Sequence, residues 1–261
     1  MDFVFPNKSD LDHLFQEKYA NRGGDAWGPD TRHAFGYYTP DDYYEAIIDK
    51  LVQPECRWLD VGCGRDIFPS NAGLARSIAD RCRAVVGIDP DPNINDNPFL
   101  TEAHNVPIEE YESEEKFDLI TLRMVAEHIA NPSTTLRVLS NLAKPGGAVV
   151  IYTPHKWAPV SIIARITPMA MHHWVKSIIW ETEERDTFPV EYKMNTRRTL
   201  RELFKRADFN ELSYSLIDDC RIFNNYRLLN KLDLTIWQLC RMTRIPYPEK
   251  CIIGVYAKSA E

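Results

Sequence analysis

The stretch Arg57 to Pro69, Arg-Trp-Leu-Asp-Val-Gly-Cys-Gly-Arg-Asp-Ile-Phe-Pro, constrains the fold of this chain more than any other. It opens with an apolar run, Trp58-Leu59 and Val61, suited to a buried strand. It then breaks at Gly62-Cys63-Gly64. Glycines there let the chain turn sharply and let a ligand approach bare backbone. Turn signals follow at Pro69 and Asn71. Leu74, Ile78 and Cys82 then recur at helical spacing, which predicts a helix over Ala72 to Arg81. Strand, glycine turn and helix make the first unit of a parallel sheet that binds nucleotide-like ligands along one edge.

The next segment fits that unit. Ala84 to Ile88 reads as a second buried strand ending in Asp89, 25 positions after Gly64. An acid at that tip is placed to hold a ribose, because a carboxylate accepts from both sugar hydroxyls. A nicotinamide dinucleotide is a competing reading. Its fingerprint wants a third glycine three positions after Gly64, where Ile67 stands.

The pattern Asp60-x-Gly62-x-Gly64 instead resembles the first motif of class I S-adenosylmethionine-dependent methyltransferases. Later segments resemble that family in order. Phe117 to Thr121 looks like its fourth strand, Val125 to Pro132 like the segment after it, and Leu142 to Gly147 like the turn before a fifth strand over Ala148 to Thr153. The resemblance covers residues 50–155 well and 195–261 more loosely. It implies a Rossmann-like α/β fold: a seven-stranded, mostly parallel sheet with an antiparallel last strand and helices on both faces. It implies S-adenosylmethionine as cofactor and S-adenosylhomocysteine as product. Asp60, Gly62, Cys63 and Gly64 would shape the methionine pocket, Asp89 with Pro90 would hold the ribose, and Glu102-Ala103 would meet the adenine. Arg123 and Met124 would face the sulfonium end and the acceptor. Asp66 stands where the family often has a third glycine. It either reaches the methionine ammonium or caps the following helix.

Around this core the chain divides into an N-terminal helical lid (1–50), the cofactor-binding core (51–157), a helical cap insertion (158–195) and a C-terminal return to the core (196–261). In the lid, Leu11, Leu14 and Phe15 predict one helix, and Tyr43, Ile47, Ile48 and Leu51 another. Trp27, His33, Tyr37 and Tyr38 either line it or cover the edge of the core. A short third strand falls near Phe99 to Ala103. In the cap, Val160 to Ile166 and Met169 to Ile179 read as helices before an acidic loop, Glu181 to Asp186. Thr196 caps a helix over Arg197 to Arg206. Leu212 to Ile217 and Ile252 to Ala257 are the last two strands. Between them Leu228, Leu229, Leu232, Ile236, Leu239 and Cys240 share one face of an extra helix.

Charge bears on partners. The formal net charge of −7 argues against nucleic acid. Yet residues 156–180 carry +3 and residues 220–250 carry +4, both amid large apolar side chains, which leaves −14 on the remainder. A packed helical cap, an amphipathic surface for a lipid or lipid-linked acceptor with peripheral membrane contact, and a homodimer interface are the readings open to these segments. No run approaches the length of a membrane span, no secretory pattern opens the chain, and the six cysteines show no metal spacing. The expectation is a cytoplasmic enzyme with a small-molecule, sugar or lipid-linked acceptor and no metal. Methyl transfer to oxygen needs a base that works near neutral pH, and histidine is the usual one. His155 and His128 both follow strand ends at the ligand edge, with His155 the first choice. His172-His173 sits in the cap.

Overall fold

The structure, a computed structural model, describes residues 3–19, 29–166, 189–223 and 226–260. Its strands are β1 (Arg57–Val61), β2 (Ala84–Ile88), β3 (Glu102–His104), β4 (Phe117–Arg123), β5 (Ala143–Pro154), β6 (Phe209–Asp218) and β7 (Lys250–Lys258). They form one sheet in the order β3-β2-β1-β4-β5-β7-β6. β1 to β5 pair in parallel, and β7 runs antiparallel to both its neighbours. This is the expected Rossmann-like sheet with its antiparallel last strand. Strand order reverses between β1 and β4, so their C-terminal ends lie side by side at the switch point where such sheets bind ligands.

Both faces of the sheet are covered, which is why the central strands read as unbroken apolar runs. One face carries α5 (Pro132–Leu142) and α7 (Arg197–Arg206). Leu136, Leu139, Leu200 and Phe204 pack there against Leu59, Val86, Ile120 and Val149. The other carries α3 (Pro40–Leu51) and α4 (Ala72–Arg81), whose Ile47, Ile48, Ala75 and Ile78 meet Trp58, Val85, Leu119 and Val150. Strand neighbours thus point alternately into the two layers, the period-two rule of a pleated sheet.

The limits of α4, β2 and α7 are those that the spacing predicts. β1, β4, β5, β6 and β7 run longer than expected, and β3 is shorter. β5 begins at Ala143 and passes through the Lys144-Pro145-Gly146-Gly147 segment expected as a turn. β3 lies three residues beyond its expected start, because Thr101 is still bonded to Val85 by its own N–H and hydroxyl before strand pairing begins. One alternative is overturned here. The cap of α4 is Asn71, whose side chain accepts from the Leu74 N–H, so Asp66 is not the cap.

Ahead of the sheet lie α1 (Lys8–Tyr19), α2 (Pro29–Ala34) and α3. Thr39 and Asp42 close a capping box on α3. A buried ion network joins α1 to α3: Lys18 Nζ lies 3.0 Å from Asp42 and 2.7 Å from Glu45, and Asn71 also donates to Glu45. Tyr38 packs within this helical layer, and Tyr37 is buried under the last helix, so neither lines a cavity. Trp27, His172-His173, the second cap helix and the acidic loop lie outside the described residues.

α6 (Pro159–Ile166) follows β5, where the spacing predicts a helix over Val160 to Ile166. The last helix, α8 (Arg227–Thr243), does not sit as its apolar face suggests. It buries Asn230, Asp233, Leu234 and Trp237. It exposes the leucine-rich face, from 45% at Ile236 to 83% at Leu228, while Cys240 at its margin is half-buried. Specific polar bonds hold it this way round. Trp237 Nε1 donates to Asp218, Asn230 to the Cys220 carbonyl, and the Tyr247 hydroxyl to Asp233. No described helix is long and apolar enough to cross a membrane.

Candidate functional site

The site grows out of the turn after β1. Gly62 (φ +68°) and Gly64 (φ +50°) both occupy the left-handed region that favours glycine. A Cβ on Gly62 would run into a Val125 methyl, whereas nothing lies within 4 Å of where a Cβ on Gly64 would stand. The backbone at Gly64 is therefore open to a ligand. Cys63 contributes backbone only: its buried Sγ lies against Gly87 of β2, and burial pushes its thiol well above the usual range.

Asp89 closes the other side. Its Oδ2 accepts from the Gly64 N–H at 3.0 Å and its Oδ1 from the Asp91 N–H at 2.8 Å. The two motifs, 25 positions apart in sequence, thus touch. Each carboxylate oxygen keeps a further acceptor direction, which suits a vicinal diol. Burial raises the Asp89 pKa in spite of these bonds. Pro90 is exposed. The loop beyond it is stitched back to the turn by Asn97 donating to the Gly64 carbonyl and Arg65 to Asn93.

Beneath the turn, Asp60 is buried against Thr121 of β4, with Oδ1 2.6 Å from Oγ1, and Trp58 Nε1 donates to that hydroxyl at 2.7 Å. Burial pushes the Asp60 carboxyl up to about 7. Asp66 stands beside the turn, half-buried, with burial alone raising its pKa.

Two expected contacts are placed differently. Glu102 and Ala103 pair with Val86 and Gly87, short of the sheet edge, and Glu102 lies 3.7 Å from His104 instead. The residue level with Asp89 is Asn105, whose amide donates to the Asp89 carbonyl at 2.8 Å. Only strand register reveals this residue. Arg123 ends β4, but its guanidinium bonds Asp41 of α3 at 3.1 Å and lies 5.9 Å from the centre of the Tyr152 ring. Asp41 also receives Arg221, which bonds Tyr152 and Asp219 as well. Burial would raise the Asp41 pKa, but Arg221 and Arg123 hold it well below the carboxylate range. Met124 turns the chain at φ +55°, its N–H donating to the Tyr152 carbonyl at 2.7 Å and its half-buried side chain packed against the core.

A further group of polar side chains lies where β4 and β5 end. Thr153 donates to the buried Glu127 at 2.7 Å, and Asn195 donates to Thr153 and to the Pro154 carbonyl. His128 Nδ1 lies 3.1 Å from the Pro189 carbonyl. A carbonyl only accepts, so Nδ1 carries the hydrogen and Nε2 is the basic nitrogen. His155 has the opposite tautomer: its Nδ1 accepts from the Trp157 N–H at 3.4 Å, which puts the hydrogen on Nε2. Burial and then the charge of Lys250 lower the His155 pKa, so it is neutral at pH 7.

An open glycine backbone, a diol acceptor and a buried acid at a switch point fit an adenosyl sulfonium cofactor and define the class I S-adenosylmethionine-dependent methyltransferases. A family model described as a methyltransferase domain matches residues 11–214, and the chain belongs to that family. The nicotinamide reading is thereby set aside, and the cofactor is S-adenosylmethionine. Among curated proteins, the chain is 28% identical over 139 residues to a ubiquinone biosynthesis O-methyltransferase of Rhodopseudomonas palustris, covering 47% of this chain. That match spans about half, 52%, of the relative's own length. A ubiquinone biosynthesis O-methyltransferase of Xanthomonas oryzae is 26% identical over 241 residues, covering 80% of this chain and 94% of its own. Two solved structures share the fold. The N-methyltransferase NodS from Bradyrhizobium japonicum, in complex with S-adenosylhomocysteine, has a TM-score of 0.50 at 12% identity over 94% of this chain and 98% of its own. A putative sarcosine dimethylglycine methyltransferase from Galdieria sulphuraria has a TM-score of 0.53 at 13% identity over 96% and 98%.

Proposed function

We propose that this chain transfers a methyl group from S-adenosylmethionine to an oxygen of a small-molecule acceptor, with sugar and lipid-linked acceptors as the finer possibilities. The observation that carries the reading is the meeting of the Gly64 N–H and the Asp89 carboxylate at the sheet edge. The O-methyltransferase relatives support oxygen as the acceptor atom. Asp89 holds the ribose hydroxyls, and Asn105, level with it, lies nearer the base than Glu102 or Ala103. The Gly62–Gly64 turn and Asp60 shape the methionine end. Asp66 offers its carboxylate to the ammonium. Bound there, the cofactor supplies an electrophilic methyl on sulfur, and the protein's task is to position the acceptor and remove its proton.

His128 takes that proton at Nε2, the nitrogen left basic by the Pro189 bond. His155, with hydrogen on Nε2, orients the acceptor oxygen as a donor. The test is methyl transfer from labelled cofactor to a panel of phenols, sugars and prenylated phenols. His128→Ala should lower kcat by about 10²–10⁴-fold with cofactor affinity unchanged. Cofactor binding without product on any acceptor would favour a binding protein that has lost catalysis. An undiminished kcat in His128→Ala would remove the histidine from its role.

A further inference from the structure

We infer that the outer face of α8 is a docking surface for an anionic membrane interface. The inference goes beyond methyl transfer and stands whether or not the acceptor is a lipid. Leu228, Leu229, Leu232, Ile236, Leu239 and Met242 recur at spacings of one, three and four along one side of the helix, and all are exposed. Leu228 is 83% and Met242 76% exposed, and Ile245, just past the helix, is 60% exposed. Scattered exposed leucines are ordinary on a soluble protein. A continuous stripe along a 17-residue helix marks an interaction surface.

Charge selects the partner. Arg227, Lys231, Arg241 and Arg244 are exposed on the same segment. Its acids, Asp233 and Glu249, are buried and bonded, to Tyr247 and to the Val160 N–H. The surface of this segment is therefore cationic on a chain of net charge −7. Arg241 lies over the Trp237 ring at the flank of the helix, and two copies meeting through the apolar stripe would set Lys231 and its neighbouring cations against themselves, since a two-fold interface opposes like patches. An anionic bilayer surface satisfies both the stripe and its cations. A helix with apolar and basic faces lies flat in such an interface.

The fold supplies the rigidity and the location. Trp237, Asn230 and Asp233 bolt the inner face of α8 to Asp218, Cys220 and Tyr247, and Trp237 stacks edge-on to Tyr37 at 5.0 Å. The outer stripe therefore cannot turn inward without breaking these bonds. α8 joins the end of β6 to the start of β7, and both lie at the ligand edge of the sheet, where His155 N–H bonds the Lys250 carbonyl. Docking through α8 would bring that edge to the membrane surface.

The test is co-sedimentation of the full chain with phosphatidylcholine vesicles, with and without phosphatidylglycerol, beside the double variant Leu232→Glu/Ile236→Glu. The expected result is binding to the anionic vesicles only, weakened at least tenfold by the double variant and by high salt. Both substitutions fall on exposed positions, so thermal midpoint and calorimetric cofactor affinity should stay unchanged. These two controls separate failure of this inference from failure of the methyltransferase reading. Equal binding to neutral vesicles, no binding to either, or a dimer in light scattering that the double variant dissolves would overturn it.

Discussion

Three carboxylates at the site are set apart by their surroundings. Asp89 is held by two backbone N–H groups, Asp60 by one hydroxyl, and Asp66 by nothing but partial burial. If Asp89 reads the ribose, Asp89→Ala should weaken cofactor binding by about 10–100-fold in calorimetric titration, since hydrogen bonds to a charged acceptor contribute about 1.5–3 kcal/mol each. Equal affinity would remove Asp89 from that role. Asp60 makes a separate prediction on stability. Its carboxyl is raised by burial from 3.8 to about 7, so the native state keeps a proton that the unfolded chain releases. That contribution is complete below pH 3.8 and is lost as pH rises through about 7. Denaturation midpoints of Asp60→Asn across that range should fall less steeply with rising pH than those of the wild type. An identical slope would show that Asp60 ionises at its ordinary pKa.

The elements owe their positions to a few buried contacts that make sharp predictions. Gly62→Ala would place a side chain at φ +68° and against Val125 at once. It should disturb both the turn and the segment carrying His128, seen as lower Tm together with weaker cofactor binding. Unchanged values of both would mean that Val125 can move aside freely. Lys18 is buried between two carboxylates, and although burial disfavours its charge, Asp42 and Glu45 raise its pKa well above the usual lysine range. Lys18→Met leaves Glu45 buried without its cation and Asp42 with only Arg32, 3.9 Å away, and should destabilise the fold by about 3–5 kcal/mol, measured by chemical denaturation. A loss below about 1 kcal/mol would show that the acids take up protons at little cost. For α8, hydropathic periodicity leaves open which side packs: Asn230, Asp233 and Trp237 go inward because each finds a buried polar partner, which periodicity does not register.

On the scale of the molecule, Asp41 ties the N-terminal helices to the end of β4 and to the loop after β6 through Arg123 and Arg221. Asp41→Asn should cost about 2–3 kcal/mol, less than a fully buried pair because Asp41 keeps some solvent contact, and should speed proteolytic removal of the first 50 residues. Unchanged proteolysis would mean that the clasp does not hold the N-terminal layer. The glycine turn, the acid after β2 and the strands and helix around them follow from local patterning, while the seven-stranded sheet is an implication of the family resemblance. Apolar runs, turn residues and helical spacing act over a few neighbouring positions, and they agree with one another from β1 to β2, though not at β3 or at the start of β5. Assembly of the folded chain settled the rest: Asn105 beside Asp89, opposite tautomers on His128 and His155, the clasp at Asp41, and the outward stripe of α8. Each of these depends on which distant group comes into reach, as Asp41 and Arg221 do across 180 positions, and no local pattern in the chain encodes such a meeting.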